Sequence, residues 1–235
     1  MMNCTEAAPM EDNTEESKRS VNIMKAPGST DLCDHIDWEY AMRRDMQEIV
    51  PGVYLGPYAS AMKSKLNDLM AHGITHIICI RQSIEASFVR PNFPQHFNYL
   101  VLDIADCPTE NIIKHFKQTK DFIDQCLQAG GKTLVHGNGG ISRSAAVVIA
   151  YIMVKFSLTC SEAMSWVRNR RFCISLNEGF QHQLHEYEHI YKAQLLNISQ
   201  DTSQSIGVPN RKRKEMDADS ASPPSSSSSF SLISS

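Results

Sequence analysis

Apolar and polar residues follow two different periods along the middle of the chain. Short apolar runs, bounded by Gly, Pro and Asn, predict strands at 52–56, 75–80, 98–104 and 132–136. The run at 75–80, Thr-His-Ile-Ile-Cys-Ile, is apolar over most of its length. Such a run is typical of a parallel strand that is covered on both faces.

Helical periodicity separates these strands. Apolar spacing predicts helices at 60–73, 111–128, 142–156, 160–170 and 178–195. The helix at 142–156 is apolar on nearly every face, so we expect it to be buried against the sheet. Strands that alternate with helices predict a layered α/β domain with a largely parallel sheet.

The two ends of the chain lack both patterns. Residues 1–33 are polar, acidic and aperiodic, and residues 199–235 combine a basic run with a Ser-rich stretch. Because neither end can bury a core, we expect both to be disordered and a single domain to span 34–198. The basic run at 211–214 is either a solvated charge cluster or a nuclear import signal, and the sequence leaves both open.

Composition and charge narrow the function classes. A formal net charge of −3 over 235 residues gives no reason to expect nucleic acid or an anionic membrane as a partner. The seven cysteines are scattered without a Cys-x-x-Cys pair, the N-terminus lacks an apolar signal core, and no apolar run reaches spanning length. We therefore expect a monomeric protein of the cytoplasm and nucleus, with free thiols and with neither metal nor cofactor.

One segment has the layout of an anion-binding loop. Residues 136–146, His-Gly-Asn-Gly-Gly-Ile-Ser-Arg-Ser-Ala-Ala, lead from a predicted strand into the predicted buried helix. Glycines allow close approach of the backbone, the amides from Asn138 onward can point inward, and Arg143 offers a planar fork to phosphate oxygens. The segment lacks the Gly-Lys-Ser/Thr of a Walker loop and the glycine spacing of a dinucleotide site. A simple tight turn is the alternative interpretation.

The loop resembles the signature of the cysteine-based dual-specificity phosphatases, which reads His, Cys, any five residues, Arg, Ser. His136, Arg143 and Ser144 match this signature, whereas Gly137 occupies the position of the cysteine. Further segments similar to the family's occur in order at 49–56, 73–80, 103–112 and 170–188. The resemblance covers about 38–195 and implies a three-layer αβα domain. It is strongest to an inactive member of the family that has glycine in place of the cysteine.

The resemblance also implies roles for single residues. It places Asp106 at the position of the general acid, and Asn177 at that of an asparagine that braces the phosphate loop. His136 and Ser144 take the positions that tune and stabilise a thiolate. The residues expected to bind phosphate are Asn138, Gly139, Gly140, Ile141, Ser142 and Arg143.

Glycine at position 137 removes the nucleophile from this arrangement, because the family attacks phosphorus with a thiolate. A general acid contributes about 10²–10⁴-fold, against a total of up to about 10²¹ for phosphate monoesters, so Asp106 and Arg143 would not sustain the reaction. Ser142, Cys107 and Asp106 are candidates for a substitute nucleophile, and neither Ser142 nor Cys107 has an evident adjacent base. Glycine also removes a charge repulsion of about 4 kcal/mol between a thiolate and one phosphate charge.

These observations favour a pseudophosphatase over two other interpretations. The first hypothesis is a module that binds phosphorylated Ser, Thr or Tyr in a partner protein without dephosphorylating it. The resemblance suggests mitogen-activated protein kinases as partners. The second hypothesis is a scaffold that binds proteins independently of phosphate, and the third is a residual phosphatase.

A second motif, His-Glu-Tyr-Glu-His at 185–189, matches the zinc-protease pattern. The apolar stripe of the predicted helix runs through Phe180, Leu184, Tyr187, Tyr191 and Leu195. The histidines of the motif, with His182, then lie toward the solvent face. We therefore interpret the motif as a polar helix face rather than a metal site.

Overall fold

The computed structural model describes residues 37–204, and it describes side chains as far as residue 195. Its strands are Gln47–Val50 (β1), Val53–Pro57 (β2), Ile74–Arg81 (β3), Asn98–Asp103 (β4) and Lys132–Gly137 (β5). Its α-helices are Leu66–Ala71 (α1), Ile113–Gln128 (α2), Arg143–Phe156 (α3), Cys160–Arg170 (α4) and Glu178–Gln204 (α5). The ends that the sequence predicts to be disordered lie outside the described residues, except for 199–204, which belong to α5.

The strands form one mixed sheet in the order β1-β2-β5-β3-β4. The last four of these are parallel neighbours, which confirms the prediction of a largely parallel sheet. The sequence does not predict β1, which runs antiparallel to β2. Its four residues begin with Gln47 and Glu48 and contain no apolar run. Gly52 closes the turn between the two strands at a φ of 81°, a conformation that favours glycine.

Alternate residues of the central strands face two separate cores, because strand side chains alternate in direction. The larger core lies on the side of α2 to α5 and includes the strand residues Val53, Leu55, Ile78, Ile80 and Val135. The smaller core includes Leu69 of α1 together with the intervening strand residues Tyr54, Ile77 and Leu134. Helices therefore cover both faces of the sheet, which confirms the three-layer αβα domain. Helix α3 is buried from Arg143 to Met153, as its apolar pattern predicts.

The segment at 60–73 differs from the single helix that its spacing predicts. Two 3-10 turns, Tyr58–Ala61 and Lys63–Lys65, precede the six residues of α1. Met62 separates them in an extended conformation, with a ψ of 161°. The predicted stop is confirmed, since Gly73 adopts a φ of 74° directly after the helix.

Backbone contacts divide the chain into two units, Met1–Gln194 and Leu195–Ser235. The first unit contains the sheet and its helices. Of the second unit, the structure describes only residues 195–204, which are helical. The predicted domain limits at 34 and 198 stay predictions. Within the described range, no helix combines the length and the hydrophobicity needed to cross a membrane.

Candidate phosphate-binding site

The loop that joins β5 to α3 forms one wall of a pocket of about 520 Å³. Strand β5 ends at Gly137 and α3 begins at Arg143, so the loop lies at the carboxyl end of a parallel strand and at a helix N-terminus. This is the position at which α/β sheets bind ligands and at which helices attract anions. The pocket is lined by Asp106, by residues 137–144 and by residues 175–177.

The carbonyls of residues 138–140 are bound by Tyr58 and Arg171, which do not line the pocket. The oxygens of residues 138–141 accept hydrogen bonds, in order, from Tyr58 N, Arg171 Nη2, Arg171 Nε and Ser175 N, at distances of 3.0, 3.2, 2.8 and 3.1 Å. In a planar trans peptide the carbonyl and the following N–H point in opposite directions. The N–H groups of residues 139–141 therefore face away from Tyr58 and Arg171, toward the pocket that these residues line, and form the cradle that an anion requires.

Arg171 supports the loop on the side away from the pocket, and its side chain is fully buried. Besides its two bonds to the loop, it donates to Asp45 O at 2.9 Å, to Arg43 O at 3.1 Å and to the Gln47 side chain. Burial lowers the pKa of this guanidinium. The sequence does not predict a role for Arg171, because nothing in a pair of adjacent arginines, Arg170 and Arg171, indicates which of them is buried.

The Arg143 guanidinium is bound along one edge by Glu85, at 2.5 Å from Nη1 and 3.0 Å from Nη2. Nη1 also donates to Ile104 O at 3.2 Å. Hydrogen bonding from Arg143 lowers the pKa of the buried Glu85 carboxyl. Nε and one hydrogen of Nη2 lie along the other edge and are left for a ligand, so Arg143 keeps the two donors that a grip on two phosphate oxygens requires. Glu85 lies 58 residues from Arg143 in the chain, and no local pattern marks it.

Asp106 lies over the loop, as the resemblance implies. Its Oδ1 accepts from Ser142 Oγ at 2.7 Å and from Asn177 Nδ2 at 2.9 Å, and its Oδ2 is 3.7 Å from Arg143 Nε. The expectation that Ser142 has no adjacent base is therefore wrong. Asn177 braces Asp106, and its own Oδ1 accepts from Phe180 N in the first turn of α5.

A family model settles what kind of domain carries this pocket. The model described as "Dual specificity phosphatase, catalytic domain" matches residues 53–190, which is more than half of the chain. The chain belongs to the dual specificity phosphatase family.

Relatives of this family with known sequences and structures agree with the assignment. The human serine/threonine/tyrosine-interacting protein is 66% identical over 162 residues, which are 69% of this chain and 73% of the relative. Human dual specificity protein phosphatase 22 is 37% identical over 147 residues, 63% of this chain and 76% of the relative. A crystal structure of human tyrosine phosphatase-like serine/threonine/tyrosine-interacting protein superposes with a TM-score of 0.62 at 68% identity, covering 63% and 98% of the two chains.

In this dual specificity phosphatase domain, Gly137 lies beside space that a side chain could enter. A Cβ at this position would be 3.5 Å from Ile80 O and 3.5 Å from Ser144 Oγ, which are ordinary contacts. The Ser144 hydroxyl is buried and has no hydrogen-bond partner within the described part of the chain. His136 is fully buried, and burial lowers its pKa to about 4, so its ring is neutral at neutral pH. The free space beside Gly137 and the unpartnered Ser144 hydroxyl are therefore compatible with a side chain at position 137.

The alternative sites lie elsewhere in the domain. Cys107 Sγ is 3.1 Å from Thr109 Oγ1, a hydrogen bond that lowers its pKa, and the pocket lining does not include it. The three histidines of the zinc-protease-like motif region, at 182, 185 and 189, are exposed on α5. Between residues 37 and 204, no group of three His, Cys, Asp or Glu side chains is placed to hold a metal ion. Leu195 is 42% exposed, so the predicted apolar stripe of α5 ends one turn earlier, at Tyr191.

Proposed function

We propose that this domain binds phosphorylated Ser, Thr or Tyr side chains of partner proteins and does not dephosphorylate them. The observation that carries the proposal is the set of inward N–H groups at 139–141, combined with Arg143 and with a glycine at position 137. The cradle can hold a phosphate dianion. No nucleophile stands where the family's cysteine would attack it.

The relatives support the same function. Proteins named serine/threonine/tyrosine-interacting protein are 64–66% identical to this chain, and that name describes interaction rather than hydrolysis. We propose mitogen-activated protein kinases as the first partner class to test, because a relative that is 40% identical over 158 residues is named MAP kinase phosphatase with leucine-rich repeats protein 3. Bound in this way, the protein would compete with active phosphatases for a phosphorylated residue, or anchor the partner.

Calorimetry with one peptide, in phosphorylated and unphosphorylated forms, tests this function. We expect the phosphorylated peptide to bind and its plain counterpart to bind much more weakly, since two charge-assisted contacts from Arg143 and the loop amides depend on the phosphate. Inorganic phosphate should compete for the same site. Equal affinities for the two peptides would overturn the proposal and favour the phosphate-independent scaffold.

One contact favours a residual phosphatase as the second candidate. Ser142 Oγ donates to Asp106 Oδ1, so this hydroxyl has a carboxylate that could accept its proton. The same carboxylate oxygen also accepts from Asn177, and the other oxygen lies 3.7 Å from Arg143 Nε, so the carboxylate is shared among three groups. Attack by Ser142 would leave a phosphoserine, so mass spectrometry after incubation with an aryl phosphate decides. A phosphorylated Ser142 would establish this candidate.

Removing the carboxylate by Asp106→Asn is expected to strengthen phosphopeptide binding by on the order of tenfold. A carboxylate about 4 Å from one phosphate charge costs about 4 kcal/mol at an effective dielectric near 20. The Asp106 side chain is 37% exposed, so solvent screens much of this repulsion. Calorimetry at fixed ionic strength measures the change, with Asp121→Asn, on α2 and outside the pocket lining, as the matched control. Weaker binding by Asp106→Asn would show instead that the carboxylate orders the loop.

We propose that the protein acts as a monomer in the cytoplasm and nucleus. The basic run at 211–214 supports the nuclear part of this proposal, and it lies outside the described residues. Replacing these four residues with alanine should shift a fluorescent fusion partly toward the cytoplasm. If the fusion protein keeps the same distribution between nucleus and cytoplasm, the basic run is a solvated charge cluster.

A further inference from the structure

Three large apolar side chains are exposed on two segments that are hydrogen-bonded to residues 139–143 of the phosphate-binding loop. Ile84 is 81% exposed, Phe88 is 51% exposed and Phe172 is 64% exposed. Exposed apolar side chains are ordinary when they are scattered singly, and they indicate a binding surface when they cluster beside a site. These side chains can form such a surface only if both segments are held against the pocket.

The first segment, 82–89, is joined to the pocket through Glu85. Ile84 precedes Glu85, whose carboxylate binds Arg143 at 2.5 and 3.0 Å. The backbone N–H of Phe88 donates to Glu85 O at 3.0 Å. Successive Cα atoms are about 3.8 Å apart, so Ile84 stands one residue away from the side chain that holds the phosphate-binding arginine.

The same segment is rigidly held. Gln82 N donates to Glu85 Oε2 at 2.7 Å, and Arg81 Nη1 donates to Ala86 O at 3.2 Å and to Val89 O at 3.0 Å. Val89 is fully buried. The exposed side chains of this segment are therefore presented by an ordered backbone, which reduces the entropy that binding would cost.

Phe172 is placed by the second segment. It follows Arg171, which binds the loop carbonyls of residues 139 and 140, and a turn closes behind it with Ile174 N donating to Arg171 O at 3.3 Å. Ser175, next along the chain, donates to Ile141 O and lines the pocket. Phe172 therefore stands between two residues that contact the phosphate loop.

We propose that Ile84, Phe88 and Phe172 form an apolar rim that binds the residues next to the phosphorylated one. The ligand is then an extended phosphorylated segment of a partner protein with large apolar side chains flanking the phosphoresidue. An extended segment advances about 3.3–3.6 Å per residue, so side chains within two or three positions of the phosphate reach the rim. This inference rests on the proposed function and adds the sequence preference of the ligand.

The test compares two phosphopeptides that differ only beside the phosphoresidue, with leucines in one and glycines in the other, and inorganic phosphate as a third probe. We expect the full-length wild-type chain to bind the leucine peptide at least about tenfold more tightly. The double variant Ile84→Ser, Phe88→Ser should lose this preference and keep the wild-type affinity for inorganic phosphate. Phe172→Ser should lose part of it. The control is Met70→Ser, a 56% exposed methionine on α1 outside the pocket lining, which should change nothing.

Each other outcome has a definite meaning. Equal binding of the two phosphopeptides by the wild type would overturn the rim and leave the proposed function intact. A parallel loss of inorganic phosphate binding in the double variant would show that the substitutions act through Glu85 and Arg143, which also overturns the rim. Failure of the wild type to bind any of the three probes would overturn the proposed function and this inference with it. Binding to phosphoinositide vesicles but to neither peptide would assign the rim to a lipid surface instead.

Discussion

Replacing Gly137 with cysteine is expected to give the protein hydrolytic activity toward an activated aryl phosphate, where the wild type shows none above buffer. A Cβ at this position makes only ordinary contacts, so the backbone of the loop can accept a residue with a side chain here. The thiol would lie at the N-terminus of α3 and near Arg143, and both favour the thiolate, so its pKa should fall well below the free value of about 8.5. The unpartnered Ser144 hydroxyl, 3.5 Å from that Cβ position, can donate to it.

The role of Asp106 is then measurable in the Gly137→Cys background. Asp106→Asn should slow turnover by about 10²–10⁴-fold for a poor leaving group, because that group must be protonated as it departs. An aryl phosphate with a good leaving group should respond less. Titration of the new thiol with an alkylating reagent gives its pKa independently of turnover. If the revertant folds and binds phosphate but stays inactive, the inferred alignment of Asp106, Arg143 and position 137 is wrong.

Replacing Arg143 with alanine is expected to weaken phosphopeptide binding by about 1.5–3 kcal/mol, the range for a hydrogen bond to a charged group. The structure adds a second effect. Glu85 would be left buried and without its partner, so the free energy of unfolding should fall by roughly 3–5 kcal/mol. Both side chains of the pair are about nine-tenths buried, so solvent does not screen this loss. Calorimetry measures the first effect and chemical denaturation measures the second.

A double variant separates the two effects. Arg143→Met with Glu85→Gln removes both charges, so stability should recover in part while phosphopeptide binding stays lost. Recovery of wild-type binding in the double variant would mean that Arg143 only supports the fold.

The Arg143–Glu85 pair also makes the stability of the domain depend on pH. Because the pKa of Glu85 is depressed in the folded state, its contribution is present at neutral pH and lost as the pH falls below 4.5 and through the folded pKa. Glu85→Gln should remove the part of the fall in the free energy of unfolding at acid pH that comes from protonation of Glu85.

The fold followed from the sequence wherever burial is local and periodic. Strands β2, β3 and β5 and helices α2 to α5 each bury one face or both faces of an unbroken segment, so their apolar spacing predicts them directly. Strand β4 is predicted by its apolar run, although Leu102 is its one buried residue. The apolar pattern does not predict strand β1, because β1 starts with Gln47 and Glu48. It is a strand because it pairs with β2. Likewise, helical spacing over 60–73 did not reveal that Met62 is extended between two 3-10 turns.

The candidate site divides in the same way. The sequence by itself determined the loop at 136–144 and the missing nucleophile at Gly137, because a strand, a glycine-rich turn, an arginine and a helix are consecutive in the chain. Only the tertiary structure decided what surrounds that loop. Three contacts around the loop join residues that are far apart in the chain. Glu85 binds one edge of the Arg143 guanidinium from 58 positions away, and buried Arg171 binds Gly140 O from 31 positions away. Ser142 donates to Asp106, 36 positions away. Such contacts depend on where the sheet places strand ends relative to one another, and a charged side chain has the same appearance in sequence whether it is solvated or buried with a partner.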